Sequence, residues 1–212
     1  MAKTQAFDAY TKDYDDWFSR HLYAYESELN AIRALLQDKG FGVEVGIGTG
    51  RFSAPLGIAV GIEPSTVMAR MASAKGITVI EGVAEFLPLG DNTCDYLLYV
   101  TTLCFLDSID QALHEAHRTL RPTGSIIIGL IDRDSALGEH YESNKSGSRF
   151  YQQATLYSAN TVVTKLEQAG FGEFSLVQTL FTHPDKMKKP DPVKPGSGQG
   201  AFVVIRAKKI KI

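Results

Sequence analysis

Residues 43–50 read Val-Glu-Val-Gly-Ile-Gly-Thr-Gly, an apolar run carrying one acid, Glu44, that breaks into Gly46, Gly48 and Gly50. An apolar run ending in glycines predicts a buried parallel strand followed by a tight turn. Glycine admits positive φ and lets a ligand approach with no Cβ in the way, so a ligand is expected at the end of the first strand. A dinucleotide-binding turn needs G-x-G-x-x-G, whose third glycine lets the next helix pack against the strand. Here the spacing is G-x-G-x-G, and Arg51 occupies the third position, where it would crowd the helix–sheet contact. Glu44 points the same way. An ionised carboxylate two residues before the glycines repels a pyrophosphate and favours a ligand with a positive centre.

Outward from this stretch, short apolar runs alternate with helical patterns. Strands are predicted over Gly42–Val45, Ile58–Ile62, Thr78–Ile80, Tyr96–Val100 and Ser125–Leu130. Helices are predicted over Arg51–Leu56, Ser65–Ala74, Ile109–Leu120 and Ser158–Ala169. This alternation predicts an α/β, Rossmann-like, doubly wound and mostly parallel sheet with helices on both faces. Residues 1–40 read as helix, with Trp17, Phe18, His21, Leu22, Tyr25, Leu29, Ile32, Leu35 and Leu36 on one face. Lys39-Gly40 is the expected stop. Arg121-Pro122-Thr123-Gly124 reads as a turn between a helix and a strand. Phe174–Phe181 and Ala201–Ala207 have strand character with no helix between them, so an antiparallel pair is expected at the C-terminal sheet edge. Residues 182–200 form a long loop rich in Pro, Lys and Gly. Without repeats or a boundary, the 212 residues are expected to form a single domain. Its parts are a helical cap (1–40), a core (41–131), an insertion (132–154), and a C-terminal helix and strand pair (155–212).

Gly61-Ile62-Glu63-Pro64-Ser65 ends the second predicted strand, with Ser65 as the N-cap of the next helix. An acid at this strand end accepts hydrogen bonds from both hydroxyls of a ribose, and Glu63 lies 17 residues past Gly46. A ligand with an ammonium, a sulfonium and a ribose but no phosphate satisfies Glu44, Glu63 and the glycine spacing together. S-adenosylmethionine carries those groups.

Four segments appear in order: V-E-V-G-I-G-T-G-R-F (43–52), G-I-E-P-S (61–65), G-V-A-E-F-L-P-L-G-D-N-T-C-D-Y (82–96) and R-T-L-R-P-T-G-S-I-I-I-G (118–129). Together they resemble the class I S-adenosylmethionine-dependent methyltransferases. The nearer resemblance is to the small-molecule, quinone-biosynthesis-like enzymes grouped as type 11. The resemblance spans residues 40–131 and implies S-adenosylmethionine as cofactor and S-adenosylhomocysteine as product. It also implies roles. Glu44 would face the methionine ammonium, directly or through water. Gly46, Gly48 and Gly50 would let the turn run under the methionine and ribose. Glu63 would bind the ribose hydroxyls, and Pro64 and Ser65 would border the adenine. Ala84 and Glu85 fall in the segment that meets the adenine edge. Val100 and Thr101, at the end of the fourth strand, would contact the cofactor through backbone near the methyl group. Leu87-Pro88-Leu89 reads as packing.

A hydrophobic share of 44% and a charged share of 22% fit a soluble globular protein. A net charge of −2 gives no electrostatic reason to expect nucleic acid or an anionic membrane as partner. No apolar run approaches the roughly 20 residues of a membrane span, and Met1–Gln5 lacks the apolar core of a signal peptide. Cys94 and Cys104 sit in apolar sequence without metal-ligand spacing and read as buried, reduced thiols. His114 and His117 are three apart on a helix with no further ligand nearby, so no metal site is expected. A cytoplasmic enzyme or binding protein fits these features, and with no basic face a small-molecule acceptor is expected rather than nucleic acid.

Methyl transfer from a sulfonium is an in-line displacement, and a base is needed only if the acceptor must lose a proton. The candidates for acceptor chemistry are Tyr14, in the N-terminal aromatic segment, and His140 and Tyr141, in the 132–154 insertion at the carboxyl edge of the sheet. Two other readings compete. A nicotinamide-dependent oxidoreductase requires G-x-G-x-x-G and no acid in the first strand. A non-catalytic relative would keep the cofactor positions without turnover.

Overall fold

The N-terminal segment folds as three helices, α1 (Gln5–Ala9), α2 (Thr11–Arg20) and α3 (Leu22–Leu35). The structure is a computed structural model describing residues 3–37 and 39–210, so Met1, Ala2 and Asp38 of the predicted cap lie outside the described residues. The helix breaks at Tyr10 (φ −126°, ψ 29°) and at His21 (φ −116°, ψ 48°). The second break turns Leu22 out to solvent, while Phe18, Leu29 and Ile32 stay buried. The single apolar face read across His21 is therefore two faces on two helices.

The chain continues as β1 (Gly42–Val45), α4 (Ser53–Leu56), β2 (Val60–Glu63), α5 (Thr66–Ser73), β3 (Thr78–Glu81) and β4 (Cys94–Val100). Then come α6 (Ile109–Thr119), β5 (Leu120–Ile131), α7 (Ala136–Ser143) and α8 (Ala159–Gln168). β6 (Phe171–Thr179), β7 (Lys194–Pro195) and β8 (Phe202–Lys209) complete it. Serine starts four of these helices. The hydroxyls of Ser65, Ser108, Ser135 and Ser158 accept from the backbone N–H of Met68, Gln111, Gly138 and Thr161 at 3.0–3.2 Å, satisfying amides that a helix start leaves open.

One sheet runs β3-β2-β1-β4-β5-β8-β6-β7. β1 to β5 pair in parallel, and β8 runs antiparallel to both β5 and β6. The doubly wound, mostly parallel sheet with an antiparallel C-terminal pair is thus as the sequence predicts. Within that pair the last strand lies inward. Residues Phe202–Ile205 are apolar and fully buried, which suits a strand covered on both faces. The expected turn at Arg121–Gly124 lies inside β5 as an irregularity: Cys94 pairs with Leu120 and Tyr96 with Ser125, so four residues leave the ladder. The 132–154 connection contains α7 and two short 3-10 turns, Lys145–Gly147 and Tyr151–Gln153.

Side chains alternate across the sheet as strand geometry requires. Leu97, Tyr99, Ile126 and Ile128 pack with Leu113 of α6 and Val162 of α8. Tyr96, Leu98, Val100 and Ile127 pack with Phe18 of α2 and Ile32 of α3. The strand order reverses direction between β1 and β4, and open α/β sheets bind ligands outside the carboxyl ends of the strands at such a point. Both cysteines are buried and unpaired. Among the described residues, no helix is long and apolar enough to cross a membrane, and no group of His, Cys, Asp and Glu forms a metal site.

Arg118 on α6 holds the segment beneath that point. It donates to Glu115 at 2.7 and 2.8 Å, to Asp91 at 2.7 Å, and to the carbonyl oxygens of Leu87 and Leu89 at 3.2 and 2.9 Å. Replacing Arg118 with Ala should cost about 1–2 kcal/mol, after discounting for partial exposure. Thermal denaturation by circular dichroism should then show a melting temperature several degrees lower, with Lys restoring only part of the loss.

Candidate active site

The glycine turn is fastened to β2. The Gly46 and Ile47 amides donate to the Ile62 carbonyl at 2.8 and 3.1 Å. A Cβ on Gly46, where φ is 71°, would meet Thr102 Cγ2 at 2.5 Å, so only glycine fits there. Gly50 serves packing: a Cβ would meet Ile77 Cδ1 at 2.8 Å and Ala72 of α5 at 3.2 Å. Glu63, at the end of β2, is only 6% exposed. One of its oxygens accepts from Gly48 N at 2.8 Å and the other from Ser65 N at 2.9 Å. Burial raises its pKa, and these two amides oppose the rise. A carboxylate oxygen has two acceptor sites, so each keeps one for a ligand.

A cleft opens over this turn. Gly46, Gly48, Glu63, Pro64, Ala84, Glu85, Val100 and Thr101 line it, all foreseen from the sequence. Phe7 and Tyr14 of the cap, Met68 of α5, and Phe105 and Asp107 of the β4–α6 connection are also on its wall. Glu44, Gly50 and Ser65 are not on its wall. Ser65 caps α5, and its hydroxyl donates to Asp8 of α1. Glu44 lies behind the turn, 1% exposed, and accepts from the Ser53 hydroxyl. Burial pushes its pKa to about 8, against the Ser53 hydrogen bond, so without a ligand it is mostly neutral at pH 7 rather than ionised. Glu85 reaches the cleft, but one oxygen is committed to the Asp107 and Ser108 amides at 2.8 and 3.2 Å.

At Phe7, Tyr14, Thr101 and Phe105 the cleft meets a second cavity of about 430 Å³, inside the range for small-molecule sites. Thr101 takes φ of 49°, a conformation uncommon outside glycine and held here by its N–H bond to Gly129 O at 2.8 Å. Trp17, Phe18, Phe52, Tyr141, Phe150 and Tyr151 make aromatic walls, with Tyr141 and Tyr151 stacked at 4.6 Å. Burial pushes Tyr141 up to about 12 and raises Tyr14 and Tyr151 well above the usual phenol value, so these phenols stay protonated. Glu28 of α3 also faces this chamber. It is 4% exposed, and burial pushes its pKa to about 8.

Tyr14 and Tyr141 are therefore at the site, and Tyr14 borders both cavities. His140 is exposed, outside both, with its ring 6.0 Å from that of His183. One residue before Tyr141 on α7, it points to a different side of the helix. Sequence reasoning missed Glu28, Phe105 and Asp107. A signal for Glu28 was present: an acid three residues after Tyr25 and four before Ile32 sits on the apolar seam of α3.

A family model described as a methyltransferase domain matches residues 43–128. A crystal structure of an S-adenosylmethionine-dependent methyltransferase from Thermotoga maritima, described as a possible histamine N-methyltransferase, superposes with a TM-score of 0.96. It is 48% identical, and the match covers 97% of this chain and 99% of that one. This chain belongs to the class I S-adenosylmethionine-dependent methyltransferases. An uncharacterized protein of Methanocaldococcus jannaschii is 43% identical over 204 residues, 96% of this chain and 98% of that one. A phosphoethanolamine N-methyltransferase of Haemonchus contortus, solved with S-adenosylhomocysteine, shares the fold at 13% identity and a TM-score of 0.63, over 88% of this chain and 53% of that one. S-adenosylmethionine is the cofactor of this methyltransferase fold, which sets aside the nicotinamide alternative. The cleft suits it: the Glu63 oxygens keep acceptor sites for hydroxyls, and the turn carries no Cβ at Gly46 or Gly48.

Among the buried acids, Glu28 and Glu44 make stability depend on pH most strongly. Glu28 and Glu44 have folded pKa values of about 8, against 4.5 for an unperturbed glutamate. An acid raised on folding contributes most below its unfolded value, and that contribution is lost as pH climbs through the folded value. The melting temperature of the ligand-free protein should therefore fall from pH 5 to pH 8. Glu28→Gln and Glu44→Gln should each flatten the slope in a fluorescence-monitored melt. A wild-type profile unaltered by either substitution would contradict the burial of these groups.

Proposed function

We propose that this protein transfers the methyl group of S-adenosylmethionine to a small-molecule acceptor held in the aromatic chamber. The observation carrying this reading is that the cleft over the glycine turn meets a second cavity, walled by aromatic rings, at Thr101. A donor in the first and an acceptor in the second would meet at that point. When bound, the cofactor supplies a methyl group already activated by the sulfonium charge.

In this reading the Glu63 oxygens receive the ribose hydroxyls while keeping the Gly48 and Ser65 amides. Gly46 and Gly48 pass beneath the methionine and ribose. Pro64, Met68 and Ala84 border the adenine, and Glu85 fixes the adjoining loop through the Asp107 and Ser108 amides. Glu44, behind the turn, becomes ionised when a cation arrives, because a nearby positive charge lowers a carboxyl pKa. Val100 and Thr101 present backbone at the junction. Tyr14, protonated, offers a hydroxyl there as a donor. The aromatic walls exclude water and hold the acceptor in line, which is most of what an activated electrophile requires.

A small acceptor is supported by the size of the chamber and by the net charge of −2, which offers no footprint for nucleic acid. The Thermotoga neighbour's description makes nitrogen the first acceptor atom to test. The reduced, buried cysteines are in keeping with a cytoplasmic setting.

Isothermal titration with S-adenosylhomocysteine tests the donor site. Losing both ribose hydrogen bonds in Glu63→Ala should weaken binding by about tenfold or more, with Glu63→Gln between that variant and the wild type. Unchanged affinity in Glu63→Ala would remove the ribose assignment. Transfer of label from methyl-labelled cofactor to the small-molecule fraction of a metabolite extract tests turnover, and its absence would favour a cofactor-binding protein without catalysis.

A further inference from the structure

We infer that Glu28 is the acceptor-recognition residue: its carboxylate receives the ammonium of an amine in the aromatic chamber and takes the proton that the nitrogen must lose before methylation. The inference rests on the methyltransferase reading above and deepens it by assigning a residue and a charge to the acceptor side.

Glu28 lines the chamber and is 4% exposed, yet its carboxyl makes no hydrogen bond to any described residue. Its oxygens are not among the fully buried polar atoms that lack a partner, so they open onto the chamber and not into the core. Nothing around Glu28 compensates its charge. The titratable groups facing it are Tyr14 of α2, Tyr25 on its own helix, Tyr141 of α7, and Tyr151. All four phenols have raised pKa values and stay neutral, so none supplies a cation. The arginines lie at the chamber's rim and are engaged elsewhere. Arg149 donates to Asp13 at 2.8 Å with its guanidinium 4.7 Å over the Tyr10 ring, and Arg20 donates to the Asp13 carbonyl at 3.3 Å. Glu28 thus faces the chamber with its carboxyl uncommitted, open to a cationic group that arrives with the acceptor.

The walls say what kind of partner it is. Trp17, Phe18, Tyr14 and Tyr141 line the same chamber as Glu28, and its other acid, Asp13, is already paired with Arg149. Ring faces attract cations, most strongly where water is excluded. A carboxylate acceptor would be repelled by Glu28, and an alcohol would leave most of the aromatic attraction unused. An aryl- or alkyl-ammonium of chamber size uses both features.

The chemistry closes. At rest Glu28 holds a proton. Ammonium binding releases that proton to solvent and leaves a carboxylate–ammonium pair. The ammonium then passes one proton to Glu28, freeing the nitrogen lone pair. A nitrogen–carbon bond forms as the sulfur–carbon bond breaks, and sulfur keeps the electron pair. The product leaves as a methylated ammonium, with Glu28 protonated again.

The experiment titrates the full-length protein, saturated with S-adenosylhomocysteine, with 2-phenylethylamine, 2-phenylethanol and phenylacetate at pH 7. Calorimetry in phosphate and in MOPS counts the protons exchanged. The amine should bind at least about tenfold more tightly than the alcohol, and phenylacetate should not bind. About one proton should be released per amine bound, because Glu28 is mostly protonated before binding. Glu28→Gln should weaken the amine by about thirtyfold or more while leaving the alcohol unchanged, and Glu28→Asp should fall between. Unchanged affinity for S-adenosylhomocysteine in both variants certifies their fold. Equal amine affinity in wild type and Glu28→Gln, no amine binding by the wild type, or a preference for the alcohol or phenylacetate would each overturn the assignment. If the wild type fails to bind S-adenosylhomocysteine, the donor-site reading falls, and this inference falls with it.

Discussion

The carboxylate of Glu63 receives the Gly48 amide on one oxygen and the Ser65 amide on the other, joining the turn after β1 to the turn after β2. The site is built on that junction. A turn with positive φ at Gly46, Gly48 and Gly50 has few intrinsic preferences to hold it in one shape, so its amides must be tied from outside. Ile62 O takes those of Gly46 and Ile47, and Glu63 takes that of Gly48. Thr102 closes the third side by donating to Val45 O at 3.1 Å. The ends of β1, β2 and β4 are thereby fixed around one cleft, and Glu63 is buried at a cost that its two amide hydrogen bonds only partly offset.

The cap depends on the same turn. Asp15 of α2 accepts from Thr49 Oγ1 and Arg51 Nε, both at 2.7 Å, and lies 3.6 Å from Lys75 Nζ. Against the upward push of burial, these partners hold its pKa below the usual carboxylate range. Ser65 binds Asp8, and Phe7 stacks on Phe150 at 5.4 Å while meeting Phe105 edge-on at 4.9 Å. The aromatic chamber is the space left between a cap docked on the turn and the 132–154 connection docked on the cap. Its walls therefore come from segments more than 100 residues apart in the chain.

That origin explains which residues could be foreseen. The glycine turn, Glu63 and the Ser65 cap are legible because each is specified by its own neighbours: a strand ends, glycines follow, and an acid or a serine stands at a fixed offset. The parallel sheet is legible for the same reason, since each buried strand is a continuous apolar run. Glu28 is not, because an acid on an apolar seam reads as a flaw in the pattern until another part of the chain supplies the cavity. His140 stood out by residue type, yet the face of α7 that turns inward is set by Leu137 and Tyr141, one helical turn apart. The break at His21 escaped detection because the apolar spacing continues across it, and the local backbone, not periodicity, ends α2 there.

Arg51 carries the argument furthest. From spacing alone it is a misplaced residue, filling the position where a dinucleotide-binding turn needs glycine for helix–sheet packing. In the fold Gly50 makes a different close contact, against Ile77 and Ala72 of α5, and Arg51 faces the cap. Its guanidinium swings outward to the Asp15 carboxylate and lies 5.7 Å over the Phe18 ring. Its carbonyl accepts from the Tyr25 hydroxyl on α3. One residue thus ties the turn to both α2 and α3, the helices that carry Tyr14, Trp17, Phe18 and Glu28. The departure that argues against a pyrophosphate in the sequence is, in three dimensions, one of the fastenings that hold the cap over the turn, beside the Thr49–Asp15 and Ser65–Asp8 hydrogen bonds.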